Sequence, residues 1–351
     1  MTDNFFDNIL KDVDKSMDDR AENTEFIDTG SYSFNALISA DIYGGYARDR
    51  ILGLAGETQT GKTFLAMGML DNFFRKFPDG RAVEWDTEGA ITKETFNKRG
   101  IDASKIAIRR PKTVEALRND LAIVMDNYKK LPEKQRSPLA FILDSLGNLA
   151  SEKEVADALS GSDKGDMTRA KMIKSLFRIA TLDLQTLKVP FIVTNHVYDN
   201  VGGYGDKKVS GGGSGFQFLP STVVFLSKAK HKDGEEVVGV KLTAESKKSR
   251  FSKPFQKIEM LLDFNKGLNR YYGLLDIAEQ YDIIKKVSTR YEMPDGSKHF
   301  EKAIYNEPER FFTADILERI NQHVKQDFGL GENNVTIQQD IEIETTEAER
   351  I

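Results

Sequence analysis

The chain has 351 residues, 39% of them apolar and 30% charged, enough for one large domain with appendages or for two domains. It has no cysteine, which excludes disulfides and thiolate metal sites and fits a reducing compartment, and no apolar run approaches the roughly 18 residues of a membrane span. The net charge of −5 argues by itself against a nucleic-acid binder. Its distribution removes that argument. Residues 331–351 hold six acidic residues and one basic residue, so the rest of the chain carries 49 acidic (55 − 6) and 49 basic (50 − 1) residues and is neutral. The body is free to carry basic patches, and the acidic tail is expected to be disordered. The opening MTDNFFDNILKD lacks a basic segment followed by an apolar one, so no secretory signal is expected and the cytoplasm is the expected compartment.

In chain order, residues 1–27 predict a short amphipathic helix and a polar linker, with Phe5, Phe6, Ile9, Leu10 and Val13 at helical spacing. So short a helix cannot bury its apolar face alone and is expected to dock on this core or on a neighbouring subunit. From Ile51 onward, strand and helix patterns alternate. ILGLAG, RAVEWD, IAIRR, LAFILD and PFIVTN read as strands. KTFLAMGMLDNFFRKF, VEALRNDLAIVMDNYKK and DMTRAKMIKSLFRIATLDLQTL read as helices, with a helical turn at KETFNKRG. That alternation predicts an α/β core over 28–270, a mostly parallel sheet with helices on both faces. After Pro220, STVVFLSKA, EVVGVKLTAES and FQKIEMLLDF are strands close in sequence, expected to extend the sheet antiparallel. Residues 271–330 predict a small mixed C-terminal domain, before the tail at 331–351.

The chemistry begins at Gly56-Glu57-Thr58-Gln59-Thr60-Gly61-Lys62-Thr63, a full GxxxxGK[ST] between a strand and a helix. Glycines let the backbone curl with its N–H groups inward, and the helix N-terminus adds its positive end, so the segment is a phosphate cradle. Lys62 would reach the β- and γ-phosphates of ATP, and the Thr63 hydroxyl would ligate Mg²⁺. Asp144 ends the apolar strand LAFILD, 82 residues after Lys62, and is the carboxylate expected to orient Mg²⁺. Asp86 and Glu88 end the strand of AVEWDTEG, where ligands gather in parallel sheets, and Glu88 is the candidate general base.

These segments together resemble the RecA family of recombinases over roughly 26–325. The lead-in FIDTGSYSFNALISADIYGGYARDRILGLAG, the acidic turn DTE, and FILDSLGNLAS followed by DMTRAKMIKSLFRI carry the resemblance, the last being especially similar to its T-even phage branch. The resemblance implies a single-stranded-DNA-dependent ATPase that polymerises into a helical filament on single-stranded DNA. It would pair that strand with homologous duplex DNA, in recombination, repair and recombination-dependent replication. It also implies two disordered DNA-binding loops, near 151–167 and 197–215. The second holds Lys207, Lys208, Gly211, Gly212 and Gly213. Between them Lys171, Lys174 and Arg178 share one helix face, and Arg169 lies just before. A basic stripe flanked by two flexible loops suits a phosphate backbone. His196 stands at the family's γ-phosphate sensor position. Lys248 and Arg250 stand where two basic residues reach a neighbouring subunit's ATP, and Arg250 replaces a frequent Lys. A single-strand-binding protein and a mediator are implied partners, no membrane is, and a phage protein of this kind works in the bacterial host's cytoplasm. The acidic tail then reads either as a solubiliser or as a polyanion that competes with DNA. A ring-forming helicase on the same core is the alternative, against which the long loop rich in Gly and Lys after Asn195 and the small C-terminal region speak; a mainly structural DNA-bound filament fits the intact Lys62 and Glu88 less well, and a small-molecule kinase would not need DNA-stimulated turnover.

Overall fold

The computed structural model describes residues 24–161, 168–199, 208–210, 215–216 and 220–330. The helix expected over Phe5–Val13 and the acidic tail lie outside the described residues. The chain enters through β1 (Phe26–Ile27), α1 (Tyr32–Ser39) and β2 (Tyr46–Ala47), with β1 and β2 paired antiparallel. The core follows as β3 (Ile51–Gly56), α2 (Lys62–Lys76), β4 (Arg81–Asp86), α3 (Lys93–Asn97), β5 (Ile106–Arg109), α4 (Val114–Lys130) and β6 (Leu139–Asp144). Next come α5 (Glu152–Ser160), α6 (Thr168–Leu187), β7 (Phe191–Asp199), β8 (Lys208–Ser210), β9 (Thr222–Asp233), β10 (Glu236–Lys248), β11 (Lys257–Asp263) and β12 (Gly267–Leu268). The C-terminal region holds α7 (Leu274–Gln280), β13 (Lys285–Val287), β14 (Arg290–Glu292), β15 (Lys298–Phe300), α8 (Glu301–Asn306), α9 (Pro308–Phe311) and α10 (Ala314–Phe328).

Ten strands form one sheet in the order β12-β11-β10-β9-β3-β7-β6-β4-β5, with β8 added to β7. From β9 to β5 every pairing is parallel, and β9, β10, β11 and β12 continue antiparallel. The continuous apolar runs of β3 and β6 follow from this: both strands are covered on both faces, so no residue needs to face water. Alternate residues serve two cores. Leu52, Leu54, Ile142 and Val224 pack under α2, α1 and the C-terminal region. Trp85, Phe141, Leu143 and Phe191 pack on α4 and α6. The C-terminal region shares the first core: Phe312, Ile316 and Ile320 belong to the same cluster as Leu54. Asn321 Oδ1 accepts from the Ile42 N–H at 2.9 Å, and the Lys253 N–H donates to the Phe328 carbonyl at 2.7 Å. Among the described residues no helix is long and apolar enough to cross a membrane.

Two expectations need correction. The stretch 151–167, expected as a disordered loop, instead carries α5. Its start is fixed by a capping box in which Ser151 and Glu154 each satisfy the other's N–H. Part of the second loop is also ordered: β8 runs back along β7, pairing Val197 with Ser210. β9 outruns its expected end because its last residues, on the turn side of its hairpin with β10, are polar and mostly exposed, where apolar alternation gives no signal.

Candidate active site

The carboxyl ends of β3, β7, β6 and β4 lie side by side, with Gly56 opposite His196 and Asp86 opposite Asp144. The loop from Gly56 to Gly61 leaves β3 here. A Cβ on Gly56 would lie 2.6 Å from the Thr60 hydroxyl and 2.8 Å from the Leu226 carbonyl, so only glycine fits. Gly61 begins α2 at φ +78° with no side-chain cap. The first N–H groups of α2 therefore point into the loop without a capping acceptor, which is the arrangement that binds anions.

Lys62 is buried, and its ammonium donates to the carbonyls of Gly56 at 2.9 Å and Glu57 at 2.8 Å. Burial lowers its pKa, against the pull of the Asp144 and Glu88 carboxylates. Thr63 donates to Asp144 Oδ2 at 2.5 Å, and Thr194 donates to the other oxygen, Oδ1. Burial raises the Asp144 pKa, and the two hydroxyl bonds oppose that shift. A hydroxyl and a carboxylate are the hard oxygen ligands that Mg²⁺ takes, and Mg²⁺ needs few of them from protein. Among the described residues no three acidic or histidine side chains gather around one point, so the pair fits an ion that arrives with phosphates rather than one held in a protein cage.

Glu88 is positioned from three sides. The Asp86 carboxylate, almost fully buried, accepts from the N–H groups of Gly89 at 2.8 Å and Ile91 at 3.1 Å and from Arg110 Nε at 3.3 Å, which shapes the turn. Thr87 and Ser145 bond reciprocally, at 2.7 and 2.9 Å, and tie the turn to β6. Glu88 Oε1 then meets the Ser145 hydroxyl at 3.3 Å and His196 Nε2 at 3.1 Å. His196 is thus in direct contact with the candidate base. Ser145, Thr194 and Arg110 were missed in sequence. So was Glu84, one charged residue inside an apolar strand, 1% exposed and with neither carboxyl oxygen hydrogen-bonded. Burial, with Asp144 and Asp86 close by, pushes its pKa well up. Trp85 is fully buried, its indole N–H donating to Asp120 at 2.7 Å.

The RecA N-terminal domain family matches residues 8–269, most of the chain. The chain belongs to the RecA family. It is 34% identical over 252 residues to the "Recombination and repair protein" of Enterobacteria phage T4, a match covering 72% of this chain and 63% of that protein. It is 24% identical over 340 residues to "Protein RecA" of Bifidobacterium breve, covering 92% and 81%, and 25% identical over 312 residues to "Protein RecA" of Clavibacter michiganensis subsp. michiganensis, covering 87% and 80%.

This RecA-family chain does not bring Lys248 and Arg250 to its own phosphate loop. Lys248 pairs with Val223, and Val223 with Gly53, three residues before Gly56 on the neighbouring strand. Arg250 lies beyond the end of β10, further from the carboxyl edge. Burial, and then the nearby Arg250, lower the Lys248 pKa. Lys171, Lys174 and Arg178 stand exposed along α6. Arg169 is instead engaged locally, donating to the carbonyls of Leu149 at 2.6 Å, Gly147 at 2.9 Å and Leu146 at 3.3 Å. Lys208 opens β8, while Lys207, Gly211, Gly212 and Gly213 lie outside the described residues.

Proposed function

We propose that this protein is an ATP-dependent DNA recombinase, which forms filaments on single-stranded DNA and pairs that strand with a homologous duplex. The observation that carries the reading is the division of the ATP machinery over one chain. Gly56 to Thr63, Glu88, Asp144 and His196 share the carboxyl edge of the sheet, while Lys248 and Arg250 lie away from it. A complete site therefore needs a second copy to supply the two cations.

In that site Gly56, Glu57, Thr58, Gln59, Thr60 and Gly61 wrap the phosphates with backbone N–H groups, and Lys62 leaves its carbonyl partners for the β- and γ-phosphates. Thr63 and Asp144 would hold Mg²⁺, which neutralises charge developing on the transferred phosphoryl group. Glu88 accepts a proton from the attacking water, whose oxygen bonds to the γ-phosphorus as the bond to the bridging oxygen breaks and ADP leaves. His196 and Ser145 keep the Glu88 carboxylate aimed. Lys248 and Arg250 of the neighbouring subunit stabilise the charge on the leaving phosphates. ATP thereby strengthens the subunit contact, and nucleotide binding, assembly and DNA binding favour one another reciprocally. The stripe Lys171, Lys174 and Arg178 supplies phosphate-backbone contacts. The test is ATP turnover with and without single-stranded DNA, followed by pairing of a labelled strand with homologous duplex. Turnover that DNA stimulates and Lys62→Ala abolishes supports the reading, whereas DNA-independent turnover or no pairing overturns it.

A further inference from the structure

We propose that Lys228 is a positioning residue of the phosphate loop, holding the Thr58–Gln59 peptide at the loop apex. The inference rests on the reading of Gly56 to Thr63 as the ATP site. Leu226 of β9 pairs with Gly56, the last residue of β3, and β9 then runs on beside the loop. Two residues further, the Lys228 ammonium donates to the Thr58 carbonyl at 3.0 Å. Lys62 donates to the carbonyls of Gly56 and Glu57. Three consecutive loop carbonyls are thus held by two ammonium groups, one from α2 and one from a strand 170 positions away from Thr58. The two cations feel each other, Lys228 adding to the lowering that burial imposes on the Lys62 pKa.

The peptide that Lys228 holds is a particular one. Its N–H belongs to Gln59, which sits at φ +61°. That left-handed conformation is easy for glycine and unfavourable for a residue with a Cβ, so something must hold the apex in place. A cation on the carbonyl does this, and it also polarises the peptide so that its N–H becomes a better donor to an anion. The loop presents its N–H groups to phosphate. Lys228 therefore acts on nucleotide affinity through the backbone, without itself belonging to the GxxxxGK[ST] motif.

The experiment measures dissociation constants of the full-length chain for a fluorescent ATP analogue without DNA, for wild type, Lys228→Met, Lys228→Arg, Gln59→Gly and the Gln59→Gly/Lys228→Met pair. Lys228→Met should weaken binding about tenfold, the scale of one charge-assisted hydrogen bond, and Lys228→Arg should retain most of the affinity. In the Gln59→Gly background the apex no longer needs holding, so the same Lys228→Met change should weaken binding by only about twofold. A Lys228→Met protein with unchanged affinity overturns the inference. So does an equal loss in both backgrounds, or a loss confined to DNA affinity. Lys62→Ala in the same assay separates the two levels: if it too leaves nucleotide binding unchanged, the ATP-site reading fails and the inference falls with it.

Discussion

Replacing Glu84 with leucine should stabilise the protein, by an amount that grows with pH. Glu84 is 1% exposed in β4 and neither carboxyl oxygen has a hydrogen-bond partner. Leaving such a group unpaired in the interior costs about 1–3 kcal/mol, which leucine removes while filling the space. The pH term adds to this. Burial, with Asp144 and Asp86 nearby, holds the Glu84 pKa well above the ordinary 4.5 in the native state. Below that ordinary value both folded and unfolded chains carry the proton, and the wild type suffers only the unpaired carboxyl. As the pH rises, the unfolded chain ionises first while the native chain keeps its proton, so wild-type stability falls by about 1.4 kcal/mol per pH unit until Glu84 itself ionises. Asp144 also has a raised pKa, but it is present in both proteins and largely cancels in the difference. Urea unfolding at pH 5, 6 and 7, followed by far-UV circular dichroism, measures the gap. A gap that stays constant with pH, or a leucine variant less stable than wild type, would refute the placement of Glu84 as a neutral, unpartnered acid.

Three further predictions concern the reaction and its surfaces. Glu88→Gln should lower turnover by at least about 10²-fold while ATP-dependent assembly persists, because only the proton acceptor is lost; steady-state turnover alongside light scattering separates the two. Lys62→Ala and Arg250→Ala chains should each be inactive alone, yet a mixture should recover turnover, on the order of a quarter of wild type for random assembly, since some interfaces pair an intact loop with an intact cation. A mixture as inactive as its components would place Arg250 outside the neighbour's site. Replacing Lys171, Lys174 and Arg178 together by alanine should flatten the slope of log affinity against log salt by about two for single-stranded DNA, with no change in base preference; an unaltered slope in a titration of fluorescent single-stranded DNA would remove the stripe from the interface.

What could be read in advance divides along physical lines. The GxxxxGK[ST] segment is local: its glycines, lysine and threonine act within eight residues, so pattern and structure coincide from Gly56 to Thr63. β3 and β6 are continuous apolar runs closed by Gly56 and Asp144, and their ends were legible for that reason. The support around Glu88 was not legible, because Ser145 and His196 reach its carboxylate, and Arg110 reaches Asp86 two residues before it, from the ends of three strands remote in sequence, and only the sheet order makes them neighbours. Arg169 shows the same limit from the other side. A cation before a basic stripe reads as a DNA contact, and nothing in its own vicinity reveals three carbonyls of the turn after β6 waiting for its guanidinium. Glu84 left a signal that went unread: a carboxylate cannot sit charged in a strand covered on both faces, so its presence in RAVEWD already implied a perturbed proton.

The central claim is that ATP joins copies of this chain into a filament on single-stranded DNA, each interface completed by Lys248 and Arg250 of the next subunit. Negative-stain microscopy of the full-length protein with single-stranded DNA and a slowly hydrolysed ATP analogue tests it most directly. Helical filaments that disappear without nucleotide, and that Arg250→Ala fails to form, are the predicted result; closed six-membered rings, or dispersed single chains, would contradict it.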